Sequence, residues 1–337
     1  MGLPDTRHPK NFIDAHLNIS AVCCVEFGRL EAETVLMVQS LRKFGGALSQ
    51  IPVMAVVGRF GAPLRRATVD ELERLNVQIM RAEPGSNPAT WFNYGNKGAA
   101  VVTAEKHATT EQIMWLDSDM VFLGEPKSIV LNEGEGLAIA PIDTPPAVLL
   151  NDDTHVSYWD KVCSLEGVDF KDVPWVDFKG LRFKLNCNSG IFTWRRGSGF
   201  AEQYHSAFCK LLNSRVAQST GEFFTVDQVI LTPLSQKFKS KIIEEKDHAF
   251  SPSDFFQFGN APDLTGVKLL HYSTAFRGPY REEIMRRILN ANPDFYEWLA
   301  EHTFELGKSS KVSAGLALSL RVLRGFKYRA FERKLKR

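Results

Sequence analysis

The sequence lacks the features that would mark a membrane-spanning, secreted or nucleic-acid-binding chain. No stretch of its 337 residues is long and apolar enough to span a bilayer. Its amino terminus carries no signal-peptide pattern, and there is neither an internal repeat nor a low-complexity segment. Charge is nearly balanced at +2, so no overall field favours nucleic acid. Cysteine is scarce. Cys23, Cys24, Cys163, Cys187 and Cys209 are an odd number without metal-ligand spacing, and the adjacent pair lies in an apolar run where buried thiols are ordinary. The compartment expected from these absences is a reducing cytoplasm. What is present, 44% hydrophobic residues, is enough for a real core in one large or two modest domains.

One stretch carries chemistry: Ile113-Met-Trp-Leu-Asp-Ser-Asp-Met-Val-Phe-Leu123. Four apolar residues run straight into Asp117-Ser118-Asp119, as in a buried strand that delivers acidic groups at its carboxyl end. Ligands of open α/β sheets bind outside those ends. Carboxylates two residues apart point to the same side of an extended chain. There they can hold a hard divalent cation, which in turn neutralises a diphosphate. Without a cation they would repel each other. The alternative is a solvated loop end or a pair of turn caps.

The preceding chain alternates. Ile19 to Val25 reads as a buried strand ending at Glu26-Phe-Gly-Arg29, and Glu31 to Phe44 repeats apolar residues at helical spacing until Gly45-Gly46. Ile51 to Val57 is a second strand. Thr68-Val-Asp-Glu71 opens a helix with the pattern of a capping box, Thr68 at the cap. Val77 to Met80 is a third strand, and Trp91 to His107 contains a helix, with Lys97 near its start. This order predicts an α/β fold: a mixed, mostly parallel sheet with helices on both faces.

The second half is less regular. Gly136 to Pro141 reads as a strand, and Asp143 to Asp153 as a loop. Phe183 to Trp194 reads as a strand interrupted by a turn at Asn188-Ser189-Gly190. Helices are expected over Phe200 to Val216 and Phe224 to Phe238, and Val267 to Tyr272 is a late strand carrying His271. A helical stretch follows Pro279 to about Leu306. In the tail, Val312, Leu316, Leu320 and Leu323 repeat at helical spacing. Arg321, Arg324, Lys327, Arg329, Arg333, Lys334, Lys336 and Arg337 are opposed only by Glu332. A basic, aromatic amphipathic helix of this kind suits an anionic membrane surface and would be dispensable for chemistry; the alternative is a helix packed on the domain. The expected division is a catalytic domain over 1–280, a helical extension over 281–310 and the basic tail over 311–337.

The order of these pieces resembles the GT-A glycosyltransferases, and more closely the family 8 type that includes glycogenin and bacterial lipopolysaccharide sugar transferases. The resemblance spans roughly residues 19 to 280 and rests on Leu116-Asp-Ser-Asp119, Asn188-Ser-Gly190, Asp227-Gln228 and His271. It implies that Asp117, Asp119 and His271 bind a manganese-like ion on the diphosphate of a nucleotide sugar. Oxygen and nitrogen donors of this kind suit Mn²⁺, with Mg²⁺ as the other choice. It further implies that Asn188, Ser189 and Gly190, with Asp227 and Gln228, lie near donor sugar and acceptor, and that Glu26 and Arg29 lie at the nucleotide. Ser118 falls within the same motif. Lys97 could contact phosphate or sugar hydroxyls from the start of its helix, or be a solvated lysine. The sequence departs from the family after His271: a Lys-Pro-Trp-type phosphate clamp is missing, and Thr274-Ala-Phe-Arg-Gly278 stands there.

The expected function is metal-dependent transfer of a sugar from a nucleotide sugar, UDP-linked by resemblance, to a glycan, lipid-linked or protein acceptor. An inverting enzyme needs a carboxylate base, for which Asp152, Asp153 or Asp227 could serve. A retaining one needs Gln228 or Asp227 on the other face of the sugar, and the resemblance favours retention. Two rivals remain. A haloacid-dehalogenase-type phosphatase would use Asp117 as nucleophile, since Asp117-Ser-Asp-Met-Val121 fits that signature, although three strand-helix units precede it. A non-catalytic nucleotide-sugar binder would keep the fold and turn nothing over.

Overall fold

The computed structural model describes residues 17–214, 216, 226–252, 261–302 and 308–335. The first half follows the expected alternation: β1 (Ile19–Cys24), α1 (Arg29–Phe44), β2 (Val53–Val57), α2 (Arg66–Arg74), β3 (Val77–Arg81), α3 (Gly95–His107) and β4 (Gln112–Leu116). All four are parallel neighbours in the order β4-β1-β2-β3. Because the chain winds outward from β1 to β3 and then returns to the other side of β1, the order reverses between β1 and β4. That crevice is where open α/β sheets bind ligands.

Alternation along β4 explains why it is apolar throughout. Ile113 and Trp115 enter the core shared with Ala100, Val101 and Ala104 of α3, while Met114 and Leu116 enter the core shared with Val35, Val38 and Leu41 of α1. A strand buried on both faces needs apolar residues at every position. Helices therefore cover both faces, as expected.

After β5 (Met120–Phe122) and β6 (Leu137–Pro141) come α4 (Val156–Leu165), the hairpin β7 (Trp175–Phe178) and β8 (Leu181–Lys184), and β9 (Cys187–Arg195). β9 is antiparallel to both β4 and β6. The expected turn at Asn188-Ser189-Gly190 is absent: these residues belong to β9. The register against β6 slips there, from Ile139 opposite Phe192 to Ala140 opposite Asn188. β9 thus bulges instead of turning.

The chain continues through α5 (Phe200–Asn213), α6 (Val226–Val229), α7 (Leu231–Lys237) and β10 (Ser240–Ile242), which pairs with β6 and completes the order β10-β6-β9-β4-β1-β2-β3. The helix expected over Phe224 to Phe238 is two short ones, and its first two residues lie outside the described set, as does part of the carboxyl end expected of the preceding helix. A small second sheet joins β11 (Ala249–Phe250), β12 (Leu269–His271) and β5. Against it pack α8 (Arg281–Ala291) and α9 (Pro293–Glu301), where Phe295 and Trp298 meet Phe44 of α1, ring centroids 5.3 Å apart in each case. The last element is α10 (Lys311–Leu335).

A second expectation fails at α2. Its amino-cap residue is Arg65, and Thr68 lies within the first turn, buried, donating its hydroxyl to the Glu31 carboxylate at 3.0 Å. Glu71 accepts from Gln39 and Arg74 instead of turning back to its own backbone. All five cysteines are free thiols. Among the described residues, no helix is long and apolar enough to cross a membrane.

Candidate active site

β4 ends at Leu116, and the chain turns at once into β5, so Asp117 and Asp119 sit at the carboxyl edge of the main sheet. β12 runs antiparallel to β5 with His271 opposite Met120, which brings a residue 152 positions downstream of Asp119 to the same place. Asp117, Asp119 and His271 each offer a ligand atom, and these atoms lie within 4.8 Å of one another. His271 Nε2 is 3.3 Å from Asp119 Oδ1. Its Nδ1 is buried against Gly190 and has no hydrogen-bond partner among the described residues.

The imidazole fits only because residue 190 has no side chain. A Cβ there would lie 2.5 Å from His271 Nδ1 and Cε1, and 2.8 Å from Asn188 Oδ1. The bulge in β9 puts Gly190 under the ring. Asn188 shapes that bulge by accepting the Gly190 N–H at 2.7 Å, and the Gly190 carbonyl accepts the Asp117 N–H at 2.8 Å. Asn188 therefore positions backbone. Ser118 has a similar role: its hydroxyl donates to the Cys24 carbonyl at 2.7 Å, tying the turn to the end of β1.

Lys97 is neither solvated nor free to reach for a phosphate from the helix start. It is buried, and its ammonium lies 3.1 Å from Asp117 Oδ1, 2.8 Å from Asp227 Oδ2, and 2.9 Å from both the carbonyl and the hydroxyl of Ser189. Ser189 in turn donates to Asp227 at 2.8 Å. The Trp115 indole N–H donates to Asp117 at 2.8 Å, and Tyr204 donates to the Asp227 carbonyl at 2.9 Å. Burial alone would discharge Lys97, but Asp117 and Asp227 outweigh it and hold its pKa above the ordinary value. Gln228 sits beside Asp227 on α6, half-buried.

Three carboxylates, Asp117, Asp119 and Asp227, converge here on the single ammonium of Lys97, an acidic excess of the kind a divalent cation would balance. Burial works against the charge on Asp119, yet His271 and the hydrogen bonds there outweigh it and hold the carboxyl at about 2. Asp117 is pushed up by burial, with Lys97 opposing and Asp119 adding to the rise. A carboxylate that is costly to ionise beside one that ionises readily is the electrostatic condition a bound cation relieves. Donor types, spacing and charge all fit Mn²⁺ or Mg²⁺.

Around the site are residues that the sequence did not reveal. Glu33 on α1 pairs with Arg277 and lies 3.5 Å from Arg29. Burial lifts its carboxyl to about 7 despite both arginines. Beside the crevice opens a cavity of about 620 Å³ between the β1–α1 junction, Arg59, Trp91 and α10. Glu26 and Arg29 both line it, and Glu26 is held by a two-point ion pair with Arg59 at 2.6 and 2.8 Å. Asp152 accepts the Thr154 N–H at 3.0 Å, and Asp153 is exposed.

A sequence profile of the Rhodobacterales glycosyltransferase domain matches residues 21–239, about two thirds of the chain. His271 and the carboxy-terminal helices lie beyond that span. No curated protein matches the sequence. Among solved structures, the chain is similar to the glycosyltransferase GlyE of Streptococcus pneumoniae TIGR4 at 14% identity and a TM-score of 0.46, covering 86% of this chain and 66% of that one, just short of two thirds of its length. It is also similar to mouse xyloside xylosyltransferase 1 in its apo form, at 12% identity and a TM-score of 0.42, covering 75% and 96% of the two chains. A third is the galactosyltransferase LgtC in complex with donor and acceptor sugar analogues, at 12% identity and a TM-score of 0.47, covering 88% and 99%.

Proposed function

The chain belongs to the Rhodobacterales glycosyltransferase domain family, and on that premise we propose that it is a metal-dependent GT-A enzyme of the family 8 type. It moves a sugar from a nucleotide sugar, UDP-linked, to an acceptor hydroxyl. The observation that carries this reading is the convergence of Asp117, Asp119 and His271 within 4.8 Å at the sheet's switch point. A Mn²⁺ or Mg²⁺ ion held there would supply Lewis-acid stabilisation of the departing diphosphate. The 620 Å³ cavity at the end of β1 has the size of a nucleotide site and takes the nucleoside together with the adjoining phosphate oxygens.

The chain's own residues then have distinct parts. Lys97 keeps Asp117 and Asp227 at fixed separation, with Ser189 as the bracket between them. Asp227 is paired with Lys97 at 2.8 Å and accepts from Ser189, so its role is to place α6 and the Gln228 beside it. Gln228, next to it, is assigned to the donor sugar, consistent with retention of anomeric configuration. The acceptor is a glycan or lipid-linked glycan presented at a membrane surface. The phosphatase alternative is set aside, because Asp117 is held by the Trp115 indole and Lys97 at the fourth strand of the sheet in chain order.

Calorimetric titration of UDP and GDP, with and without Mn²⁺, tests the reading. Metal-dependent UDP binding by the wild type, lost in Asp119→Ala while the circular dichroism spectrum is unchanged, is the expected result. Unchanged UDP affinity in Asp119→Ala would sink the site. Hydrolysis of UDP-sugars in the absence of acceptor then separates an enzyme from a protein that only binds.

A further inference from the structure

The tail helix does not stand away from the domain. Tyr328 and Phe331 of α10 pack on Trp91, with ring centroids 5.9 and 4.6 Å away. Arg324 lies 3.2 Å from Glu26 and donates to the Phe60 carbonyl at 2.6 Å. Ala317, Leu320 and Arg321 continue the same side of the helix up to the cavity, of which α10 forms one wall. Leu316 and Leu320, expected on a membrane-facing side, are half-buried on the side towards the domain.

The charge of the cavity is unusual for a chain so nearly neutral. Its lining includes Arg29, Arg59, Arg321 and Arg324 against the single carboxylate of Glu26. Burial, then the charge of Arg59, pull the Arg324 guanidinium below its ordinary pKa, with Glu26 opposing. Arg59 and Arg324 share Glu26, and Arg29 is turned towards Glu33. Among the described residues, Arg321 makes no ion pair. Even with Arg29 turned to Glu33, the lining keeps an excess of guanidinium groups over carboxylate, and planar guanidinium forks match phosphate oxygens in pairs. A neutral sugar or a base alone would not call for this arrangement. A nucleoside diphosphate does. Arg29 links the two regions, since it lines the cavity and its charge also acts on Asp119.

We propose that the carboxy-terminal helix is part of the donor site, with Arg321 binding the diphosphate of the nucleotide sugar and Arg324 positioning Glu26 and the cavity wall. This rests on the nucleotide-sugar reading above. It also replaces the expectation that the tail is dispensable for donor chemistry.

The test is calorimetric titration of UDP and of uridine, both with Mn²⁺, into the full chain. The proteins are the wild type, Arg321→Ala, Arg321→Lys, Lys327→Ala on the exposed side of the same helix, and Asp119→Ala. Arg321→Ala is expected to weaken UDP roughly tenfold, the order of one charge-assisted hydrogen bond. It should leave uridine unchanged and flatten the salt dependence of UDP binding. Arg321→Lys should recover part of the loss, and Lys327→Ala should match the wild type. If Arg321→Ala binds UDP like the wild type while Asp119→Ala loses it, the donor reading stands and the helix assignment falls. Equal weakening of UDP and uridine would reduce the helix to a passive wall and overturn the role of Arg321. Absence of nucleotide binding by the wild type would remove both.

Discussion

Gly190 gives a sharp test of the metal site, because the space it leaves is filled by an imidazole ring. In Gly190→Ala a methyl group 2.5 Å from His271 would force the ring or the bulge to move. Displacing the support of a ligand in this way lowers metal affinity by about 10- to 100-fold. Mn²⁺ titration followed by electron paramagnetic resonance is expected to read that loss with the fold retained. Glu33 gives a different signature. Its folded pKa, about 7, lies above the ordinary 4.5, so the folded chain holds the extra proton between those values. The stability that the protonated form contributes is complete below about 4.5 and is lost as pH rises through 7. Glu33→Gln is therefore expected to flatten the decline in urea midpoint from pH 5 to pH 8 relative to the wild type. An identical decline in both proteins would show that Glu33 ionises freely. At this scale the sequence was readable where chemistry is local: an acid pair at a strand end and a histidine at another. Lys97 was recognised as a candidate, but its partners Ser189 and Asp227 are supplied by distant β9 and α6. Glu33 and Arg277 are 244 positions apart, and nothing near either one signals the other.

Elements bring these residues to one place by close approach. Gly58 follows β2 directly against the first turn of α3, and a Cβ there would come within 2.7 Å of Asn96 Cβ and 2.9 Å of its Cα. Backbone cannot give as a flexible side chain can. Gly58→Ala should shift the turn that carries Lys97, destabilising the fold by about 1–3 kcal/mol, as overpacking does. A lower urea midpoint together with weaker Mn²⁺-dependent UDP binding is expected; an unchanged midpoint would show that α3 slides without cost. Element types and order in the first half were legible because β1, β2 and β4 are buried on both faces and α1 repeats Val35, Val38 and Leu41 at helical spacing. Two local signals misled. Thr68 has the spacing of a cap, but its hydroxyl bonds to Glu31 of another helix. Asn188-Ser189-Gly190 has the composition of a turn, but pairing of Asn188 with Ala140 of β6, and of Ile191 onward with β4, keeps it in a strand and turns the irregularity into a bulge.

On the scale of the whole molecule, α10 has two unlike faces. The face away from the domain exposes Leu318, Val322 and Phe326 at 61%, 51% and 58%, one turn apart along the helix. Lys327, Arg329, Arg333 and Lys334 are also exposed. An apolar stripe with basic flanks of this kind suits an anionic lipid surface. Val322→Glu with Phe326→Glu is expected to abolish co-sedimentation with phosphatidylserine vesicles while UDP affinity stays within twofold. Equal sedimentation of variant and wild type would refute the lipid assignment. The tail's helical periodicity was visible in the sequence, but its orientation was not, since Trp91, which takes Tyr328 and Phe331, lies more than two hundred positions earlier.

A helix that forms the wall of one binding site and the floor of another also ties two equilibria together. If the docked helix binds both nucleotide and lipid as proposed, each ligand meets a helix that the other has already settled. Linkage makes such an effect reciprocal: whatever factor the surface adds to nucleotide affinity, the nucleotide adds to surface affinity. The donor site would then be most fully loaded at the lipid surface itself.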